Sequence, residues 1–208
     1  MTKTHNVSQK SVEWTELRLG KLTASRFKKI IDLKKMSLKS PDVVLTSVAE
    51  LLSEIETGFA ADSGFVTDAM QWGLDNEQEY KDEYLYKDGF EDLGFATNDK
   101  FPLIGCSPDS IHTSGKLAVE IKCLNSANHI KICIKDEIPK EHLPQIWMYF
   151  IVFEELEKLQ FVSYDPRNLK RPVFKKIISR SEIQTELEKV TNVIQEYSKL
   201  VEQYQLNN

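Results

Sequence analysis

The spacing of apolar positions divides the chain into stretches of different period. Up to residue 88 the period is helical. "VEWTELRLGKL" leads into "TASRFKKIIDL", where Thr23 or Ser25 can cap the second helix. "PDVVLTSVAELLSEIETG" has a proline near its start, apolar side chains at 44, 45, 48, 51, 52 and 55, and Gly58 to stop it. "TDAMQWGLDNEQEYKDEYLYKDG" predicts another helix, capped by Thr67 or Asp68 and closed by Gly89. From residue 90 the period shortens. "GFEDLGFATN", "PLIGCSPDSIHT" and "KLAVEIK" predict an antiparallel meander, with "TSG" as the turn between the last two. "PQIWMYFIVFEEL" reads as a buried helix, and "LQFVSYDP" and "PVFKKIIS" as two more strands. Apolar residues at 183, 187, 190, 194, 197, 201 and 204 then predict a long amphipathic helix packed on the sheet, with Ser181 and Gln184 as its capping box. No repeat, low-complexity tract or long linker interrupts this order. The expectation is one domain over 1–208, with a helical part from about 10 to 88, a sheet core from about 89 to 180 and a C-terminal helix from about 181 to 206.

One strand carries more than packing. In "LAVEIK" the side chains alternate faces, so Leu117, Val119 and Ile121 can pack on a helix while Glu120 and Lys122 lie side by side on the other face. Asp109, after Pro108, starts the partner strand, and a hairpin through "HTSG" can bring it back to Glu120. Carboxylates forced together raise each other's pKa unless a positive charge lies between them. Hard oxygen ligands suit Mg²⁺, and a neighbouring lysine can hold or deprotonate an attacking water. A surface hairpin with an ordinary Glu–Lys pair is the plainer explanation of the same residues. On the helix 68–88, Met70, Gly73, Glu77, Tyr80 and Tyr84 share one face. An acid in that stripe is costly to bury unless it is paired or bound to metal, and Gly73 permits close approach of another backbone. Gln145 is the lone polar group at the head of an apolar run, placed either to bond a water or phosphate or to cap a turn.

Charge and cysteine usage refine the picture. The net charge is −5, but Arg18 to Lys39 holds eight basic residues against Asp32 alone. A second basic group is Lys170, Arg171, Lys175, Lys176 and Arg180. Such runs form either a solvated face or a surface for phosphates. Three cysteines, Cys106, Cys123 and Cys133, without CxxC spacing argue against a disulfide framework, a zinc site or an iron–sulfur cluster. No run reaches the length of a membrane helix, and the N-terminal residues lack the apolar core of a signal peptide, so an intracellular protein is expected.

Taken in order, these blocks resemble the lambda-type exonuclease family, also called YqaJ-like viral recombinases, in the PD-(D/E)xK nuclease superfamily. "RLGKLTASRF", "WGLDNEQEY", "GCSPDSI" with "VEIKC", "HLPQIWMYF" and "SYDPR" each match a family block. The resemblance implies an α/β (α+β) restriction-endonuclease-like core, a central mixed sheet flanked by helices. It implies a Mg²⁺-dependent 5′–3′ exonuclease (Mn²⁺ can substitute) on linear duplex DNA, leaving 3′ overhangs for phage-type recombination. Asp109, Glu120 and the Ile121 carbonyl would bind the metal, joined by Glu77 directly or through water. Lys122 would position or activate the water, and Gln145 would orient it. Arg18, Ser25 and Ser107 match positions that bind the terminal 5′-phosphate. A ring-shaped homotrimer, a single-strand annealing partner and a cytoplasmic place in a phage-bearing bacterial host are further implications. The tip between Asp109 and Glu120 departs from the family pattern by one extra residue. Asp99 is expected near the site from its place in the meander, without an assigned role. An endonuclease of the same superfamily, or an inactive nuclease fold that binds DNA ends, are the alternatives; a Cas4-type nuclease is disfavoured because four cluster cysteines are absent.

Overall fold

The computed structural model describes residues 1–61 and 67–206. The N-terminal part runs β1 (Thr2–His5), α1 (Val12–Arg18), β2 (Leu22–Thr23), α2 (Ala24–Ile30), β3 (Ile31–Asp32), β4 (Ser37–Leu38), α3 (Pro41–Thr57) and α4 (Asp68–Tyr80). A π-helical turn, Lys81–Leu85, and a short 3-10 turn, Tyr86–Asp88, extend α4 to Gly89, whose φ of 78° ends the helix as expected. Then follow β5 (Phe90–Glu91), β6 (Phe95–Asn98), β7 (Phe101–Cys106), β8 (Ser110–His112) and β9 (Leu117–Lys122). The last part is α5 (Ser126–Lys135), α6 (Leu143–Val152), β10 (Lys158–Tyr164), β11 (Val173–Ser179) and α7 (Gln184–Leu206).

The predicted meander is divided between two sheets. One has the order β1-β6-β7-β2 and the other β11-β10-β9-β8-β5, and β3 pairs with β4 alone. β6–β7 and β8–β9 are antiparallel as expected, whereas β9–β10 and β2–β7 are parallel. A parallel neighbour requires a long crossover, here through α5 and α6. The result is a mixed α/β fold, with sheets flanked by helices. α6 is apolar all round and buried from Ile146 to Val152, packed against α2, α7 and β7. Arg180 donates to the carbonyls of Phe150, Phe153 and Leu156 at the end of this helix.

Helix ends and faces differ from the pattern in instructive places. In α3 the buried residues are Val44, Val48, Leu51 and Glu54, while Leu45 and Ile55 are exposed. The fourth inward position is thus an acid, and Arg26 on α2 meets it with two hydrogen bonds of 2.8 and 2.5 Å. The backbone N–H groups of Gly20 and Ala61 also donate to Glu54. The capping box near the last helix uses Ser179 and Glu182, not Ser181 and Gln184, and starts a 3-10 turn at Arg180–Glu182. On α7 the predicted stripe is buried at Leu187, Val190, Ile194, Tyr197 and Val201. Thr23 stands at the N-cap of α2 without a side-chain capping bond. The side chains of Asp68 and Met70 lie outside what the structure describes. Among the described residues no helix is long and apolar enough to cross a membrane.

Candidate active site

The hairpin β8–β9 places the acids. Ser110 pairs with Val119, and the N–H of Asp109 donates to the Val119 carbonyl at 3.1 Å. Gly115, with φ of 71°, supplies the left-handed turn residue between the strands. Asp109 Oδ2 then accepts the Ile121 N–H at 2.6 Å. β9 lies between β8 and β10, so both of its edges are hydrogen-bonded, and side chains pack on both of its faces. Val119 and Ile121 pack with Tyr80, Leu85, Val162 and Tyr164, while Ala118 faces the main core. Glu120 is 1% exposed. Such a carboxylate is tolerated only when its oxygens are satisfied. Oε1 takes the Lys122 ammonium and the Gln145 amide, the latter at 2.7 Å, and Oε2 accepts from the Tyr149 hydroxyl. Gln145 and Tyr149 are one turn apart on α6, so a single helix face closes over the carboxylate.

Charges in this cluster act strongly on one another. Burial, reinforced by Glu120 and Glu77, pushes the Asp109 carboxyl well above its ordinary pKa. Burial works against the charge on Lys122, but Glu120 and Asp109 outweigh it and hold the ammonium charged. Glu77 joins from α4, where Lys81 Nζ lies 3.0 Å from its Oε1 and 3.3 Å from Asp92 Oδ1. Gly73 does adjoin a backbone, the Cys123 carbonyl, but an added methyl would stand 3.9 Å away, so glycine is not sterically required there.

A second group borders the acids. Trp14 on α1 donates through Nε1 to Ser107 Oγ (2.9 Å) and the Gly94 carbonyl (3.0 Å), and Ser107 donates to that carbonyl at 2.6 Å. A side chain at Gly94 would collide with the carbonyls of Val7 and His5, so only glycine allows this packing. One turn along α1, the Arg18 guanidinium lies over the Trp14 ring, 4.0 Å from its centroid. Among the described residues no carboxylate forms an ion pair with Arg18. Burial and the neighbouring Arg26 lower its pKa to about 10, against the opposing pull of Tyr149.

The structure therefore brings Asp109, Glu120, Ile121, Lys122 and Gln145 into direct contact, sets Glu77 within electrostatic reach, and adds Ser107 and Arg18 through Trp14. Ser25 is exposed on the first turn of α2, with its hydroxyl 3.2 Å from that of Thr23, and among the described residues it makes no hydrogen bond to the cluster. Asp99 is not near the acids. It lies in the turn before β7, 3.9 Å from the N-terminal amine, while Ser107 follows the other end of that six-residue strand, roughly 20 Å away. Several bases of the two runs serve the fold. Arg26 binds Glu54, Lys21 donates to the Pro102 carbonyl, Lys176 pairs with Asp136, and Arg180 caps α6. Tyr149, Trp14, Lys81 and Asp92 complete the site without having been singled out from the sequence.

The donor set suits a hard cation. Two carboxylates, a third on α4 and the Ile121 carbonyl offer oxygen alone, and the repulsion from Glu120 and Glu77 that adds to burial in raising Asp109 is what a divalent ion relieves. Among the described residues no three acidic, histidine or cysteine side chains are already gathered around one point as a preformed metal site. Glu120 is turned toward Lys122, Gln145 and Tyr149 instead.

A mixed sheet whose buried hairpin carries Pro-Asp at one strand and Glu-x-Lys on the next defines a PD-(D/E)xK-type nuclease. The YqaJ-like viral recombinase domain matches residues 13–154, and the chain belongs to that family. Its fold is similar to that of an alkaline exonuclease, LHK-Exo, from Laribacter hongkongensis, with TM-score 0.74 and 24% identity over 95% of this chain and 97% of that one. LHK-Exo in complex with dAMP matches with TM-score 0.68 and 25% identity, over 95% of this chain and 100% of that one. A phage-related exonuclease from Haemophilus somnus 129PT matches with TM-score 0.56 and 19% identity, over 88% of this chain and 96% of that one. Comparison with proteins of curated function finds no significant match.

Proposed function

We propose that the protein is a Mg²⁺-dependent 5′–3′ exonuclease on linear duplex DNA, working as one nuclease domain over 1–208 and leaving 3′ overhangs for strand annealing. The observation that supports this most is the buried contact set of Asp109, Glu120, Lys122 and Gln145. In this reading Asp109, Glu120 and the Ile121 carbonyl hold the ion, with Glu77 as a further ligand, and Mn²⁺ can replace Mg²⁺. The ion, when bound, supplies Lewis acidity toward the phosphodiester and a more acidic water. Lys122, held charged, donates to that water or to a phosphate oxygen and does not take a proton. Gln145 uses its two N–H groups on Glu120 and Tyr149, which leaves its amide oxygen to accept from the water and orient it. The product would be a deoxynucleoside monophosphate, the kind of molecule bound in the LHK-Exo complex.

Directionality is assigned to Arg18, with Ser25 and Ser107. Arg18 offers a planar fork to a terminal phosphate and is stacked in place by Trp14. Ser107, whose hydroxyl is engaged by Gly94 and Trp14, contributes by holding that indole. Exposed lysines of the first basic run, such as Lys28, Lys29, Lys34 and Lys35, can add salt-dependent contacts to the backbone of the DNA. The homotrimeric ring and the annealing partner implied by the family belong to the same proposal.

The test compares end-labelled linear duplexes with 5′-phosphate or 5′-hydroxyl ends and a covalently closed circle, in Mg²⁺ or EDTA. The expected result is digestion of linear DNA only, in Mg²⁺ only, and much faster from the phosphorylated end. Arg18→Ala is expected to remove most of that preference by losing a charge-assisted contact, with a decline of about 10–100-fold on the phosphorylated duplex and little change on the other. Cutting of the closed circle, or equal rates on both ends with the unaltered protein, would favour an endonuclease.

A further inference from the structure

Lys81 has no place in the roles assigned so far. Its side chain is 7% exposed, yet it carries a charge. It heads the π-helical turn Lys81–Leu85, a widening of the helix that recurs at functional sites. Tyr80, just before it, packs toward β9 and β10. Lys81 instead meets Glu77 at 3.0 Å and Asp92 at 3.3 Å, and the charge of Asp109 also acts on it. Burial opposes the ammonium form, but Glu77, Asp109 and Asp92 together outweigh that and keep it protonated. The group borders a cleft of about 290 Å³ lined in part by Gln9, Lys10, Glu77 and Asp92. The two ion-pair partners differ in exposure. Glu77 is 21% exposed, whereas Asp92 is 54% exposed, on the loop after β5.

We propose that Lys81 is a built-in counter-ion that competes with the divalent ion for the carboxylates. It rests on the reading of the acidic cluster as a divalent-ion site. Without the ion, the ammonium neutralises Glu77 and eases the repulsion between Glu77 and Asp109. When the ion arrives, Glu77 turns to it and Lys81 keeps Asp92, whose other oxygen accepts from the Tyr86 hydroxyl at 3.0 Å. Lys81 thus preserves the empty site and weakens ion binding. A lysine that merely stapled α4 to the loop would do neither in an ion-dependent way.

Melting temperatures and Mn²⁺ titration calorimetry, without DNA, separate the two roles in the unaltered protein, Lys81→Met, Lys81→Arg and Asp92→Asn. Lys81→Met should melt several degrees lower in EDTA, and most of that deficit should vanish in saturating ion. Its Mn²⁺ dissociation constant should fall on the order of tenfold, because a positive charge near the dication is gone. Lys81→Arg should behave as the unaltered protein. Asp92→Asn, which leaves Lys81 to Glu77 alone, should weaken Mn²⁺ binding severalfold. An equal deficit for Lys81→Met with and without ion, or unchanged Mn²⁺ affinity in both Lys81→Met and Asp92→Asn, would overturn the inference. Should Lys81→Met fail to fold, the affinity of Asp92→Asn decides alone. No Mn²⁺ binding by the unaltered protein would instead sink the ion-site reading, and this inference with it.

Discussion

Asp109→Asn should lose DNA cleavage by roughly 10²–10⁴-fold while the protein stays folded. The substitution removes one negative charge and almost no volume. The asparagine oxygen can still accept the Ile121 N–H that now binds Asp109 Oδ2, so the hairpin keeps its register. The lost charge is one that burial and the nearby Glu120 and Glu77 disfavour. The variant is therefore expected to melt at or above the temperature of the unaltered protein in EDTA. A time course on a 5′-phosphorylated duplex and a melting curve from one preparation check both halves. Cleavage close to the normal rate would remove Asp109 from the reaction, and a collapsed melting curve would make it a structural residue.

Glu54→Ala should destabilise the protein by about 3–5 kcal/mol, the range for removing one partner of a buried ion pair. Glu54 is 1% exposed and takes two hydrogen bonds from Arg26 plus the N–H groups of Gly20 and Ala61. Alanine removes all of these acceptors and leaves a gap between α2 and α3. Burial opposes ionisation of Glu54, but the Arg26 hydrogen bond and charge and the two N–H groups overcome it, so its pKa lies below the ordinary carboxylate value. The unfolded chain then binds the proton more tightly than the folded one. This contribution is fully present above the unfolded value of about 4.3 and disappears as pH falls through the lower, folded one. Denaturant unfolding at pH 7 and again near pH 3 should show the gap between Glu54→Gln and the unaltered protein narrowing in acid. A gap that is constant with pH would mean that shape, not charge, makes the difference.

The acids of the site were legible because a strand has a period of two. In "LAVEIK" that period puts Glu120 and Lys122 on the same face, and the Gly115 turn returns the chain to Asp109. Gln145 was legible as a polar residue leading an apolar run. Tyr149 was not, since a tyrosine inside "IWMYFIVF" looks like any core residue; only its spacing of four from Gln145 hinted at a shared task. Lys81 stands four residues after Glu77, a spacing that hinted at their pairing, but its contact with Asp92 and the pull of Asp109 come from other elements and leave no local trace. Arg26 and Arg180 counted as candidates for phosphate, although their partners are Glu54 and the end of α6. Neither pairing leaves a local trace. β1 and α5 have no counterpart among the predicted elements. "TKTH" is polar and becomes a strand through β6, and α5 shows alternating isoleucines, Ile130, Ile132 and Ile134, although Asn125 caps it as a helix.

The parallel pairing of β9 with β10 also sets the order in which the chain can assemble. The hairpin 110–122 needs only a short turn, so Asp109, Glu120 and Lys122 can meet while the rest of the protein is still unformed. β10 begins at Lys158 and pairs with a strand that ends at Lys122 only after the intervening crossover has folded back. Gln145 and Tyr149 travel on that crossover. A nascent chain halted before residue 158 would hold both acids on a hairpin open to water, without the strand that buries it or a seated α6 to accept hydrogen bonds from. Synthesis must run well past the acidic residues before the chain can become competent to cut DNA.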